Sequence, residues 1–134
     1  MGKLLSFAIP CYNSAEYMEH CINTVLAGGD EVEVIIVDDG STKDNTYEIA
    51  KRYEKEYPDI VKVIHKENGG HGSGVNAGLE AATGTYFKVV DSDDWLEPTM
   101  YEALFNSLKN NDADISMTAS IMEYPDGRQI CHYQ

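Results

Sequence analysis

Asp91-Ser92-Asp93-Asp94 puts three carboxylates side by side, directly after the largely apolar run Tyr86-Phe87-Lys88-Val89-Val90. A second acidic pair, Asp38-Asp39, follows the run Val34-Ile35-Ile36-Val37 and leads into Gly40-Ser41. A polar segment, Pro10-Cys11-Tyr12-Asn13, closes a third apolar stretch that begins at Leu4. Crowded carboxylates repel, by about 4 kcal/mol for two unit charges about 4 Å apart at an effective dielectric of about 20. A divalent cation offsets that repulsion. All-oxygen ligands suit Mg²⁺ or Mn²⁺, ions that use one or two carboxylates together with substrate phosphates and act as Lewis acids on a leaving diphosphate. Asp38 or Asp39 could also accept hydrogen bonds from a nucleobase or ribose. Plainer readings exist. Asp94 before Pro98 can cap a helix, and Asp38 or Asp39 alone would be an ordinary turn residue. Two acidic segments, each after a buried strand, favour the ligand-binding reading.

Those segments need a scaffold that gathers them. Leu4 to Ile9, ended by Pro10, reads as a strand. Asn13 or Ser14 can cap a helix in which Met18, Cys21, Ile22, Val25 and Leu26 repeat at helical spacing until Gly28-Gly29. Val32 to Val37 contains four apolar residues in a row, Val34 to Val37, and a strand apolar on both sides suits a central parallel sheet. Ser41 or Asp44 can cap the next helix, carrying Ile49, Ala50, Tyr53 and Tyr57 and stopping before Pro58. Ile60 to Ile64 is a third strand. After Gly69-Gly70-His71-Gly72-Ser73-Gly74 comes a helix with Val75, Gly78, Leu79 and Ala82 on one face, then a fourth strand, Tyr86 to Val90. Pro98 opens a helix with Tyr101, Leu104, Phe105 and Leu108. Ala113 to Tyr124 reads as a fifth strand, Pro125 to Arg128 as a turn, and Ile130 to Tyr133 as a partner strand. Alternating strands and helices imply right-handed crossovers and a three-layer α/β fold with a mostly parallel central sheet. With strand 1 central, strand 2 on one side and strand 4 on the other, the three polar segments meet at the carboxyl rim, where such sheets bind ligands.

The bulk properties fit one domain over residues 1–134. Formal net charge is −13, from 23 acidic and 10 basic side chains, which argues against nucleic acid and anionic membrane surfaces as partners. Cys11, Cys21 and Cys131 lack zinc spacing and read as reduced thiols of a cytosolic protein. No run reaches the length of a transmembrane segment, and no signal peptide precedes the first strand. The expected location is cytoplasmic or peripheral at the inner face of the membrane. Tyr12 is either a stacking face for a base or a turn aromatic. Trp95 reads as core or rim packing. His20, His65, His71 and His132 show no ligand spacing; His71 stands out for its glycine-rich setting.

In order and spacing, the segments from Ser6 to about Pro98 resemble the amino-terminal half of a family 2 glycosyltransferase of the GT-A fold. The matching residues are Phe7 to Asn13, Glu33 to Thr42, Asn68-Gly69-Gly70, Asn76-Ala77-Gly78-Leu79, Ala82-Thr83-Gly84 and Asp91 to Trp95. The resemblance implies a nucleoside-diphosphate sugar donor, usually a UDP-sugar, and inverting transfer to a hydroxyl of a saccharide or lipid-linked acceptor, as in bacterial surface polysaccharide synthesis. It implies Pro10 and Tyr12 flanking the base, Asp39 hydrogen-bonding it, and Asn13, Asp38 and Asn76 among the nucleotide-binding residues. Asp91 would touch the ribose or the metal. Asp93 is the first choice as direct metal ligand, with Asp94 the alternative. Two departures accompany the match. Val75 stands where relatives often carry a basic residue, and the family's general base lies further along than this chain extends. Glu123 and Asp126 do not resemble that base, so the chain alone is expected to bind donor and metal but to transfer sugar poorly or not at all. Self-association through an apolar face is also expected.

Rival readings have weaker support. Gly72-Ser73-Gly74-Val75-Asn76-Ala77 fits a relaxed dinucleotide-binding fingerprint, but it follows the third strand and Lys66 to Gly70 intervene. A phosphoacceptor signalling domain would need a lysine near the end of the fifth strand, and Ile115 to Ile121 offers none. A sugar-nucleotide pyrophosphorylase would carry a glycine-rich signature after its first strand. A non-catalytic interaction module on the same fold has the intact acidic segments against it.

Overall fold

The structure is a computed structural model that describes residues 3–110, 119–123 and 129–133. The chain divides after Trp95 into two compact units.

The first unit is built on β1 (Leu5–Cys11), β2 (Val32–Asp39), β3 (Val61–Lys66) and β4 (Tyr86–Val89). All pairings are parallel and the order is β3-β2-β1-β4, with Leu5 opposite both Val32 and Tyr86. β1 therefore sits between β2 and β4, the arrangement expected from the sequence. Every residue of β1 and β2 is buried, the polar Ser6, Glu33, Asp38 and Asp39 included, as befits central strands covered on both faces. Helices α1 (Met18–Leu26), α2 (Thr46–Glu56) and α3 (His71–Ala81) connect the strands. A short 3-10 turn, Gly29–Glu31, precedes β2, and Gly29 takes the positive φ of 71° that favours glycine.

Capping differs from the sequence reading in one helix and follows it in another. Asp44 accepts from the backbone N–H of Thr46 at 3.1 Å and from its hydroxyl at 2.6 Å, tying down the start of α2. At α1 the side chain of Asn13 points elsewhere, and the carbonyl of Ser14 accepts from Tyr17 and Met18 instead. The inward face of α3 follows the sequence reading at Gly78 and departs from it at Leu79. Gly74 and Gly78 are buried, whereas Leu79 is 53% exposed. A Cβ at Gly78 would lie 2.6 Å from the Cβ of Ala8, and one at Gly74 would lie 3.2 Å from that of Pro10. α3 thus packs on β1 through its glycines, so close that no large side chain fits on that face.

The amino end of the sheet is fastened by one buried carboxylate. Glu33 accepts from Ser6 Oγ (2.8 Å), Lys62 Nζ (2.7 Å), Thr83 N (2.8 Å) and Thr83 Oγ1 (2.9 Å). Gly84 N in turn donates to Ser6 Oγ at 2.7 Å. Burial alone would raise the Glu33 carboxyl, but Lys62, Thr83 and Ser6 outweigh it and hold the pKa at about 2. The network joins β1, β2, β3 and the approach to β4, and it explains Ala82-Thr83-Gly84 physically. Thr83 supplies two donors, and a Cβ at Gly84 would meet Ser6 Oγ at 2.6 Å.

The second unit contains α4 (Pro98–Asn110), with Glu97 accepting from Met100 N at 2.9 Å, and the antiparallel pair β5 (Ala119–Glu123) and β6 (Gln129–Tyr133). The expected fifth strand is present over 119–123, and its partner strand is present as well. Residues 113–118 and the turn 125–128, Asp126 included, lie outside the described residues.

Candidate functional site

At the carboxyl ends of β1, β2 and β4 a cleft of about 500 Å³ opens. Its lining is Pro10 to Ser14 and Tyr17 from the segment after β1, Asp39 from β2, Asn68, Gly70 and His71 at the approach to α3, and Asp91 to Asp93 after β4. Residues 83 positions apart in the chain, Pro10 and Asp93, meet here because the parallel order brings every strand's carboxyl end to one rim.

Two loops are held by side chains reaching across from β1 and β2. Asn13 adopts a positive φ of 49°, tolerated by asparagine, and its Oδ1 accepts from Thr42 N (3.2 Å) and Lys43 N (3.1 Å). Its own N–H donates to Ser41 Oγ at 2.9 Å. This clamp fixes the turn that presents Tyr12, half exposed at the cleft. Asp39 holds the other loop. Its Oδ1 accepts from Lys66 Nζ (2.8 Å) and Gly69 N (2.9 Å), and its Oδ2 from Gly70 N (2.9 Å). Burial would raise its carboxyl, but those donors prevail and hold it below the usual range. Gly40 takes a φ of 75°, and a Cβ there would lie 2.7 Å from Asn68 N, so the Asp39–Gly40 turn has to be bare to let the loop close.

The acidic segment forms its own turn, with Asp94 N donating to Asp91 O at 2.9 Å. That turn brings ligand atoms of Asp91, Asp93 and Asp94 within 4.8 Å of one another. Ser92 Oγ donates to Ser14 Oγ at 2.8 Å, tying the turn to the β1 loop, and His71 Nε2 lies 2.6 Å from Asp91 Oδ1. Among the described residues this is the one cluster of three potential metal-ligating side chains. Hard carboxylate oxygens at that spacing fit Mg²⁺ or Mn²⁺.

Of the sequence-predicted residues, Pro10, Tyr12, Asn13, Asp39, Asp91 and Asp93 line the cleft, and Asp94 joins the carboxylate cluster. Asp38 and Asn76 do not line it. Asp38 is fully buried, accepting from Ser41 N at 3.1 Å and pairing with His65 Nδ1 at 2.8 Å, while Asn76 is exposed on α3. Sequence reasoning missed Tyr17, Ser14, Ser92 and Asn68 as lining residues. Ser14 and Ser92 meet where the β1 loop reaches the turn after β4, and Asn68 arrives with the loop after β3 that closes on the Asp39 carbonyl. Cys11 also lines the cleft, but burial pushes its thiol up to about 12, with Asp38 adding to the shift, so it is an apolar wall rather than a nucleophile. Trp95 packs its ring 4.9 Å from that of His20, the rim packing expected of it. Gly72-Ser73-Gly74 lies inside α3 rather than on a strand-to-helix turn, and a Cβ at Gly72 would meet nothing within 4 Å. The first glycine of a dinucleotide fingerprint makes the tight turn out of the strand, and Gly72 stands inside a helix instead, so the oxidoreductase reading loses its footing.

Comparison with known proteins agrees with this geometry. The glycosyltransferase YibD of Escherichia coli (strain K12) is 41% identical over 113 residues, covering 84% of this chain and 32% of YibD. The structure of S. aureus TarS 1-349 in complex with UDP-GlcNAc superposes with a TM-score of 0.69 at 29% identity, over 79% of this chain and 31% of that one. The mannosyltransferase PcManGT from Pyrobaculum calidifontis, solved in complex with GDP-Man and Mn²⁺, shares the fold at a TM-score of 0.74 and 22% identity, over 94% of this chain and 37% of that one. The chain spans about a third of the length of the curated relatives it matches, 32%, 38% and 33% for three of them. The family model for glycosyl transferase family 2 matches residues 6–133. The sheet order, the acidic rim and that match agree: the chain belongs to glycosyl transferase family 2 and has the α/β architecture of GT-A glycosyltransferases.

Proposed function

We propose that this unit binds the nucleoside-diphosphate sugar, a UDP-sugar, from which a glycosyltransferase moves the sugar to a hydroxyl of a saccharide or lipid-linked acceptor. The observation that carries the reading is the convergence of Asp91, Asp93 and Asp94 within 4.8 Å at a cleft whose lining, among the described residues, includes no lysine or arginine. An anionic diphosphate enters such a cleft only with a counter-charge. Asp93 would hold a divalent cation, Mg²⁺ or Mn²⁺, with Asp91 and Asp94 completing the carboxylate set. When bound, that cation supplies Lewis-acid neutralisation of the diphosphate leaving group. Tyr12 and Pro10 flank the base. Asp39 contributes to base recognition chiefly by holding the Gly69-Gly70 loop. The TarS likeness, at 29% identity to a protein solved with UDP-GlcNAc, supports UDP as the nucleotide. Activity belongs with bacterial surface polysaccharide or glycoconjugate synthesis at the cytoplasmic face, as the family resemblance implies.

Calorimetric titration of UDP into the protein, with Mn²⁺ and then with EDTA, tests this reading. Binding with Mn²⁺ that disappears with EDTA is the expected result. UDP binding of equal strength in both conditions, or in neither, would overturn it.

A further inference from the structure

We propose that His71 is the cleft's own side-chain hydrogen-bond donor to the donor diphosphate. This rests on the nucleotide-sugar reading above. Several donors that a phosphate entering this rim could use are already engaged. The backbone N–H groups of Gly69 and Gly70, which would make a natural anion cradle, both donate to Asp39. Lys66, the last residue of β3, donates to Asp39 and to the carbonyl of Glu67. Asn68 Nδ2 donates to the carbonyl of Asp39. Position 75 is a valine outside the lining set.

His71 differs from all of these. It is the first residue of α3, its side chain is 63% exposed, and it lines the cleft. Its Nε2 sits 2.6 Å from Asp91 Oδ1, so Nε2 carries a proton and donates to that carboxylate. Asp91 belongs to the carboxylate cluster that would hold the cation. His71 is therefore placed to exchange one anionic acceptor for another, leaving Asp91 Oδ1 and donating to a phosphate oxygen when cation and nucleotide are both present. That exchange links the two ligands, because the N–H turned toward phosphate is one that Asp91 no longer needs.

The test compares wild-type protein with His71→Ala and His71→Gln, both at an exposed helix start that tolerates substitution. Uridine, UMP and UDP are titrated calorimetrically at saturating Mn²⁺, and Mn²⁺ alone is followed by electron paramagnetic resonance. In His71→Ala, UDP affinity should fall about ten-fold or more, while uridine and Mn²⁺ alone change by less than about two-fold. His71→Gln, which keeps an N–H donor, should recover part of the loss. Equal losses for uridine and UDP would make the ring a wall of the cleft. A loss of Mn²⁺ affinity without nucleotide would make it only a support for Asp91. Either result overturns the proposal, as does unchanged UDP affinity. Wild-type protein that binds no UDP removes the nucleotide-sugar reading and this inference together, whereas UDP bound alike by wild type and His71→Ala removes this inference alone.

Discussion

At the amino end of the parallel sheet, Glu33 is buried and accepts four hydrogen bonds from Ser6, Lys62 and Thr83. At the carboxyl end, Asp91 and Asp93 are exposed beside Asp94, and among the described residues the cleft they border has no lysine or arginine in its lining. The same side-chain chemistry thus does opposite work at the two ends. A carboxylate that the chain itself saturates with donors is a fastener, and the desolvation it suffers is offset internally. Carboxylates crowded together where water and ligands reach them keep their acceptor capacity for something that arrives from outside. Asp39 stands between these cases, lining the cleft yet holding Lys66, Gly69 and Gly70. It is the hinge between scaffold and site.

Substitutions at either end test that contrast. Asp93→Ala should abolish Mn²⁺-dependent UDP binding, a loss of at least about a hundred-fold or about 2.7 kcal/mol, and leave the urea unfolding midpoint unchanged within error. Retained binding would assign the cation to Asp91 and Asp94 without Asp93. Glu33→Ala should do the reverse. It leaves buried donors unpaired and should lower unfolding free energy by about 3 kcal/mol, read by urea denaturation, while the folded fraction still binds UDP. A smaller effect carries the same contrast into pH. The folded protein binds the Glu33 proton more weakly than the unfolded chain does, with a pKa of about 2 against an ordinary 4.5. The stability this contributes is complete above the ordinary value and is lost as pH falls through that window. Wild type should therefore lose stability between about pH 4.5 and 2 more steeply than Glu33→Gln does. Parallel acid profiles would mean that Glu33 is not the fastener.

Much of this was legible before any coordinates. Val34 to Val37 is apolar on both sides, which a doubly covered strand explains, and the strand order expected of alternating strands and helices is the one observed. The acidic segment was legible because three carboxylates adjoin in sequence and a turn suffices to bring them together. The inward face of α3 was legible only in part, since Gly78 stood on the expected face but so did Leu79. Hydrophobic periodicity points to Leu79, but the packing distance to Ala8 selects glycine, and distance is invisible to periodicity. The partners of Asp39 and Glu33 were equally hidden, since each lies about 30 positions or more away along the chain for most of its bonds. Tyr17 joined the lining through a loop path that no local pattern encodes.

The position of β4 beside β1 has a consequence for how the molecule assembles. Ser6 meets Glu33 across 27 positions but Gly84 across 78. For a flexible chain the entropy of closing the longer loop is greater by about 1 kcal/mol, unless α2, β3 and α3 have already shortened it by folding. The order this favours is β1 with β2 and β3 first, and β4 last. Pulse-labelled hydrogen exchange during refolding should then protect the β4 amides after those of β1 and β2, and simultaneous protection would exclude that order. In a late-closing sheet, the carboxylates that follow β4 come to the rim only once the rest of the framework stands, so their mutual repulsion opposes the final step of assembly and none of the earlier ones.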